Sequence, residues 1–272
     1  MIEQALLEDL GPNGDVTSEA IFSDEPGETL LLSKDTGVLA GADLFSAVFK
    51  HVDSRTQVTF FFKDGELLEP GVTVATIRGF ARSVLTAERV ALNFLSFLSG
   101  IATATRLFVE TAGKHGTARI LDTRKTLPGY RELSKYAVRM GGGTNHRRGL
   151  YDMVLIKDNH IDQAGSITVA VERVRAKWGD RFRVEVECRS LEEVREAIGT
   201  GVDVIMLDNM DKAMIQEAVA LKKSKIKFEV SGNMDLDSVE ALSSTGIDFI
   251  SIGRITHSVR SFDFSMKTRR TD

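Results

Sequence analysis

The chain has 272 residues, 42% of them hydrophobic and 27% charged, a composition that suits one large barrel-type domain or two smaller ones with a sizeable core. A net charge of -4 and a pI near 5.8 argue against a nucleic-acid-binding surface, and the single Cys188 excludes an intramolecular disulfide framework and suits a reducing cytoplasm. MIEQALLEDLG places no basic segment before an apolar run, so no signal peptide is expected, and the longest uncharged stretch, Val90 to Thr105, is sixteen residues, short of the ~20 a spanning helix needs.

In chain order, ETLLLSK (28–34), TQVTFFF (56–62) and TVATIRG (73–79) read as short strands, with turn signals at Asp64-Gly65 and Pro70-Gly71 and a helical pattern over 43–51 between them. This predicts a small α+β domain on an antiparallel sheet. A long core helix follows, from about Thr86 to Ala112, with Val90, Phe94, Phe97, Leu98 and Ile101 at helical spacing. Beyond it short apolar runs recur at 118–121, 153–156, 182–186, 204–207, 227–230 and 249–252, with helical segments between most of them. Ser190 and Glu193 form a capping-box pattern at one such helix. The later runs start 22 or 23 residues apart, and Thr200-Gly-Val-Asp-Val-Ile echoes Thr245-Gly-Ile-Asp-Phe-Ile. Repeated βα units of that length imply a parallel sheet, open or closed into a barrel.

Each run ends in chemically able residues: Arg124 and Lys125, then Lys157, Glu187, Asp208-Asn209, Ser231-Gly232-Asn233 and Gly253-Arg254. In a parallel barrel those ends open on one face, where active sites are built. Residues 122 to 160 carry eight positive side chains against four negative in this acidic protein, a local field suited to a small, highly charged anion. Basic ends hold carboxylates or phosphates, acidic ends hold ribose hydroxyls or Mg²⁺, and Gly-rich ends let backbone N–H groups approach a phosphate. The sum is a phosphoribosyl-transfer layout. Arg131, Lys135, Arg139 and Arg148 read as solvated charges, Cys188 as a buried thiol, and His51 and His115 as surface histidines; no His/Cys spacing suggests zinc. Lys157 also allows a Schiff-base aldolase, and the cations alone allow a non-catalytic anion-binding module.

DTRKTLPGYRELSKYAVRMGGGTNHRRGLYDMVLIKDNH resembles the signature region of the quinolinate phosphoribosyltransferases. LTAERVALNFLSFLSGIATATR, Glu187, LDN (207–209), EVSGN (229–233) and SIGRITHS (251–258) match that family in order. The resemblance implies an α/β fold: an N-terminal α+β sandwich over residues 1–100, an incomplete, seven-stranded α/β barrel over 101–258, and a tail, 259–272, packed back on the first domain. It implies transfer of phosphoribosyl from phosphoribosyl pyrophosphate to quinolinate, with decarboxylation to nicotinate mononucleotide, in de novo NAD biosynthesis. Quinolinate would be held by Arg124, His146, Arg147 and Lys157, with Arg89 contributed across a homodimer or larger hexamer. Lys125, Glu187 and Asp208 would serve catalysis and hold the donor, the two carboxylates with Mg²⁺; Ser231, Gly232, Asn233 and Gly253 would bind the 5-phosphate. Asn233 and Arg254 stand where the family more often has a glycine and a small residue. A related enzyme acting on nicotinate is the nearest rival; the full cation set favours the dicarboxylate.

Overall fold

Alternation of buried and solvent-facing side chains builds the first sheet. A computed structural model describes residues 1–222 and 225–269, and the chain divides into two compact units, the first comprising 1–104, 139–142 and 259–272. In the first unit the buried positions of β1 (Pro26–Ser33) are Thr29, Leu31 and Ser33, a period of two. The other early elements are α1 (Ile2–Leu10), α2 (Val16–Ile21), β2 (Gly37–Val38), α3 (Ala42–Val52), β3 (Gln57–Phe60), β4 (Leu67–Leu68), β5 (Thr73–Phe80) and α4 (Ala81–His115). β1 pairs antiparallel with β5, which pairs with β3; β2 and β4 form a separate two-stranded ladder.

The predicted helix over 43–51 is α3, and its apolar face (Phe45, Val48 and Phe49) is buried. The predicted turn at Asp64 has a further use: its carboxylate accepts hydrogen bonds from the Gly41 and Ala42 amides at the start of α3, amides that would otherwise be unsatisfied. α4 starts five residues earlier and ends three later than its apolar periodicity indicates. It is long and apolar enough to cross a bilayer, yet 56% of its most apolar window is buried, as in a core helix. The sheet gains a fourth strand from the chain's far end: β12 (Phe264–Arg269) pairs antiparallel with β1, with Leu31 opposite Met266.

The second unit, 105–138 and 143–258, carries the repeated βα pattern. Its strands are β6 (Arg119–Leu121), β7 (Val154–Ile156), β8 (Val184–Cys188), β9 (Val204–Asp208), β10 (Lys227–Ser231) and β11 (Phe249–Ser251). Between them lie α5 (Arg131–Met140), α6 (Asp158–Ala164), α7 (Ile167–Trp178), α8 (Leu191–Thr200), α9 (Lys212–Ala220) and α10 (Leu236–Ser243), and a short α11 (Arg254–His257) follows β11. Four of these helices begin at a side-chain cap: Ser166, Ser190, Asp211 and Asp235 each accept from an amide three residues on.

All six strands are parallel, in the order β6-β11-β10-β9-β8-β7. That order is cyclic, since the first strand pairs with the last, and its one break lies between β6 and β7. The family resemblance implies seven strands; the described residues form six, plus a single parallel bridge from Leu121 to Thr144 at the free edge of β6. The bridge stays short because the chain turns off at once: the Asp122 side chain accepts from the His146 amide and from Asn145 Nδ2.

Candidate active site

Strand periodicity and the parallel direction together place the site. Residues two apart on a strand face the same side, and here alternate residues at the strand ends line one cavity of about 730 Å³: Leu155 and Lys157, Met206 and Asp208, Glu229 and Ser231, Ser251 and Gly253, with Glu187 from β8. Thr123, Arg124 and Lys125 follow β6, and His146 and Arg147 come from the segment beyond the Thr144 bridge. Eleven residues expected at the site from the sequence therefore share a single cavity: Arg124, Lys125, His146, Arg147, Lys157, Glu187, Asp208, Ser231, Gly232, Asn233 and Gly253. The twelfth, Arg89, sits exposed on α4 in the first unit and is not among the lining residues.

The cations are partly held in place and partly unopposed. Lys157 Nζ donates to Glu187 Oε2 at 2.6 Å. Arg124 is half-buried, and its Nε has no hydrogen-bond partner among the described residues. Arg147 Nη1 donates to the Met153 carbonyl at 3.3 Å. Burial, and next the charge of Arg124, press the Arg147 pKa below its ordinary value; an anion bound beside it would oppose both, because an opposite charge favours the charged guanidinium.

The acidic and hydroxyl side of the cavity is cross-linked. Asp208 and Ser231 face each other in register on β9 and β10, and Ser231 Oγ donates to Asp208 Oδ1 at 2.6 Å while Asn209 Nδ2 donates to Oδ2 at 2.8 Å. Gly232 has φ +143, and a Cβ there would stand 2.9 Å from Asn209 Oδ1, so only glycine fits without displacement. Arg254, exposed, and His257 also line the cavity.

One expectation is overturned. Lys135, read from sequence as a solvated charge, is fully buried on α5, donating to Asp122 Oδ1 and, at 3.0 Å, to the His146 carbonyl. Its helix turns it inward because Asp122, itself buried, needs a cation to offset its desolvation. Lys135→Met is expected to cost about 3–5 kcal/mol, because Asp122 would be left charged and unpaired; a melting temperature within ~2 °C of wild type would show that the pair does not hold the fold.

Two further residues escaped the sequence reading. Glu185 and Glu229 lie inside the apolar runs of β8 and β10 and are 1% exposed. His146 Nε2 stands 3.0 Å from Glu185 Oε2 and 3.6 Å from Glu229 Oε2, while its Nδ1 accepts from the Arg147 amide at 2.7 Å. Burial disfavours the charged imidazole, but the two carboxylates outweigh it and raise the His146 pKa. In the neutral ring, donation by the Arg147 amide to Nδ1 leaves the ring hydrogen on Nε2, the nitrogen facing the two carboxylates. The available signal was the spacing: Glu185 stands two before Glu187, and Glu229 two before Ser231, each pair on one face of its strand.

Comparison with known proteins agrees with this arrangement. Models of the N-terminal and C-terminal domains of quinolinate phosphoribosyl transferase match residues 15–99 and 101–267. The chain is 44% identical over 266 residues to a probable nicotinate-nucleotide pyrophosphorylase [carboxylating] of Bacillus subtilis, covering 98% of this chain and 91% of that protein. It is 43% identical over 286 residues to the chloroplastic nicotinate-nucleotide pyrophosphorylase [carboxylating] of Oryza sativa, covering 98% and 76%. The crystal structure of NadC from Streptococcus pyogenes superposes with a TM-score of 0.96 at 43% identity, over 100% of this chain and 96% of that one. With both domain models matched in order across nearly its whole length, the chain belongs to the quinolinate phosphoribosyl transferase family.

Proposed function

We propose that the protein transfers the phosphoribosyl group of phosphoribosyl pyrophosphate to quinolinate, releasing diphosphate and carbon dioxide and leaving nicotinate mononucleotide. The observation that carries this reading is the convergence of Arg124, Lys125, Arg147 and Lys157 on the cavity that also contains Glu187, Asp208 and Ser231. A pyridine dicarboxylate needs several cations, since burying each unpaired charge costs several kcal/mol. Arg124, Arg147 and Lys157 supply them, with His146 behind Arg147. Arg89 would complete the pocket from a second copy of the chain in a homodimer, or within a hexamer.

The ring nitrogen attacks the ribose C1 as the bond to diphosphate breaks, and positive charge develops on the sugar. Glu187 and Asp208 stabilise that charge electrostatically; Lys125 contacts the leaving diphosphate. The carboxylate oxygens of Glu187 and Asp208 are the donor type Mg²⁺ prefers, and they would hold that ion with the diphosphate, where it neutralises charge on the leaving group. Ser231, Gly232, Asn233 and Gly253 take the 5-phosphate through backbone N–H groups and the Ser231 hydroxyl. The bond from the ring to the carboxylate beside the now cationic nitrogen then breaks to release carbon dioxide, and the electron pair left on that ring carbon, stabilised by the adjacent positive nitrogen, takes a proton from water to give nicotinate mononucleotide. A cytoplasmic setting, in which the lone thiol of Cys188 stays reduced, completes the reading.

The test is incubation of purified protein with quinolinate, phosphoribosyl pyrophosphate and Mg²⁺, following nicotinate mononucleotide and carbon dioxide together. Equimolar formation is the expected result. Turnover of nicotinate in place of quinolinate would overturn the dicarboxylate assignment.

A further inference from the structure

A buried hydroxyl behind the cavity wall joins the two loops from which Lys125 and Gly253 reach the cavity. β6 and β11 run paired as far as Leu121 opposite Ser251, and the Ile252 amide still donates to the Leu121 carbonyl at 2.9 Å. The chain segments then part, one continuing through Thr123, Arg124 and Lys125, the other through Gly253 into α11. Thr256, on α11 and 1% exposed, closes the gap again. Its Oγ1 lies 2.8 Å from the Lys125 carbonyl oxygen and 3.1 Å from that of Gly253. A hydroxyl has one hydrogen to give. The Gly253 carbonyl already accepts from the Thr256 and His257 amides, at 3.1 and 3.2 Å, so the hydrogen goes to Lys125, the shorter contact.

Lys125 is thereby held along its length. Its amide donates to Thr123 Oγ1 at 3.0 Å, and its carbonyl takes the Thr256 hydroxyl. Its stem lies over Gly253, where a Cβ would stand 3.1 Å from Lys125 Cδ, closer than two carbon atoms comfortably approach. The bare glycine leaves room for the lysine to cross the end of β11 beside the cavity that both residues line.

We propose that Thr256 is a positioning residue for Lys125: its buried hydroxyl fixes the lysine backbone so that the stem crosses Gly253 and the ammonium is presented to the diphosphate of the donor. Lysine is a point charge on a long flexible stem, and an anion that meets a loose one must bear the cost of ordering it. Pinning the backbone on one side and seating the stem on the other removes part of that cost before the donor arrives. Thr256 is not among the residues that line the cavity, so its effect passes through Lys125. This inference rests on the proposed function for the identity of the anion and for its kinetic arm.

Thr256→Val keeps nearly the size of the side chain and removes its donor. Calorimetric titration of the full chain with inorganic diphosphate is expected to show binding weakened about tenfold, the loss of one ordering hydrogen bond. Thr256→Ser restores the hydroxyl and should bind within about twofold of wild type, although it gives up a buried methyl group that valine retains. A role in packing alone predicts the opposite order. Serine binding as weakly as valine, or a valine variant that matches wild type, therefore overturns the proposal. In a Lys125→Ala background, Thr256→Val should cost nothing further in diphosphate affinity, and additive losses would count against any action through that lysine. In steady-state assays Thr256→Val should raise KM for phosphoribosyl pyrophosphate about tenfold, with KM for quinolinate moving less than about twofold; a parallel rise in both would make Thr256 a general support of the fold. If wild-type protein binds diphosphate but does not turn over quinolinate, the functional reading falls, while the titrations still decide this one.

Discussion

Arg147→Ala is expected to raise KM for quinolinate by roughly 10²–10⁴-fold, with KM for phosphoribosyl pyrophosphate changed far less, because two charge-assisted hydrogen bonds at about 1.5–3 kcal/mol each are lost. The geometry behind this is the crowding of Arg147 and Arg124 in one cavity wall. Burial and like charge both press on the Arg147 guanidinium, so part of its binding energy is relief of that repulsion when a dianion enters. Alanine also removes the hydrogen bond to the Met153 carbonyl, a local contact whose loss should appear in the melting temperature rather than in substrate preference. Steady-state kinetics with each substrate varied in turn makes the test. A parallel rise in both KM values would mean that Arg147 supports the cavity as a whole and does not read the acid.

Glu187→Gln should lower kcat by about 10²–10³-fold, the magnitude typical of removing one group aimed at charge that develops in the transition state. The substitution keeps the size and much of the hydrogen bonding of the side chain, so folding should be little affected. It also frees Lys157, whose Nζ is 2.6 Å from the carboxylate. An unopposed ammonium in the cavity holds an anionic substrate more tightly, so KM for quinolinate should stay level or fall as kcat drops. That opposition of sign separates Glu187 from the acid-binding cations. An unchanged kcat would remove it from the mechanism, and a rise in KM alone would reassign it to binding.

Much of the site was legible because it depends on local pattern. A strand of period two followed by a capped helix can be read from neighbouring residues, and in parallel βα units all strand ends emerge on one face. Arg124, Lys157, Glu187, Asp208 and Ser231 were found by that rule, each at the end of a run. Lys135 was missed because hydropathy treats a lysine in an amphipathic helix as solvated, whereas its partner Asp122 lies thirteen residues earlier, past the end of β6. Glu185 and Glu229 were missed because single carboxylates inside apolar runs look like interruptions of a strand rather than a pair meeting across two of them.

The amino-acid order by itself determined the alternation of elements, their caps, the charge of each strand end and the family. Only the tertiary structure decided which buried charges meet: Asp122 with Lys135, and Glu185 and Glu229 with His146. It alone decided that β12 joins β1 and that the cyclic sheet breaks between β6 and β7. The physical reason is range. Propensity and periodicity act over one or two turns of chain, while the desolvation that makes a buried charge seek a partner is set by whichever distant segments fold against it.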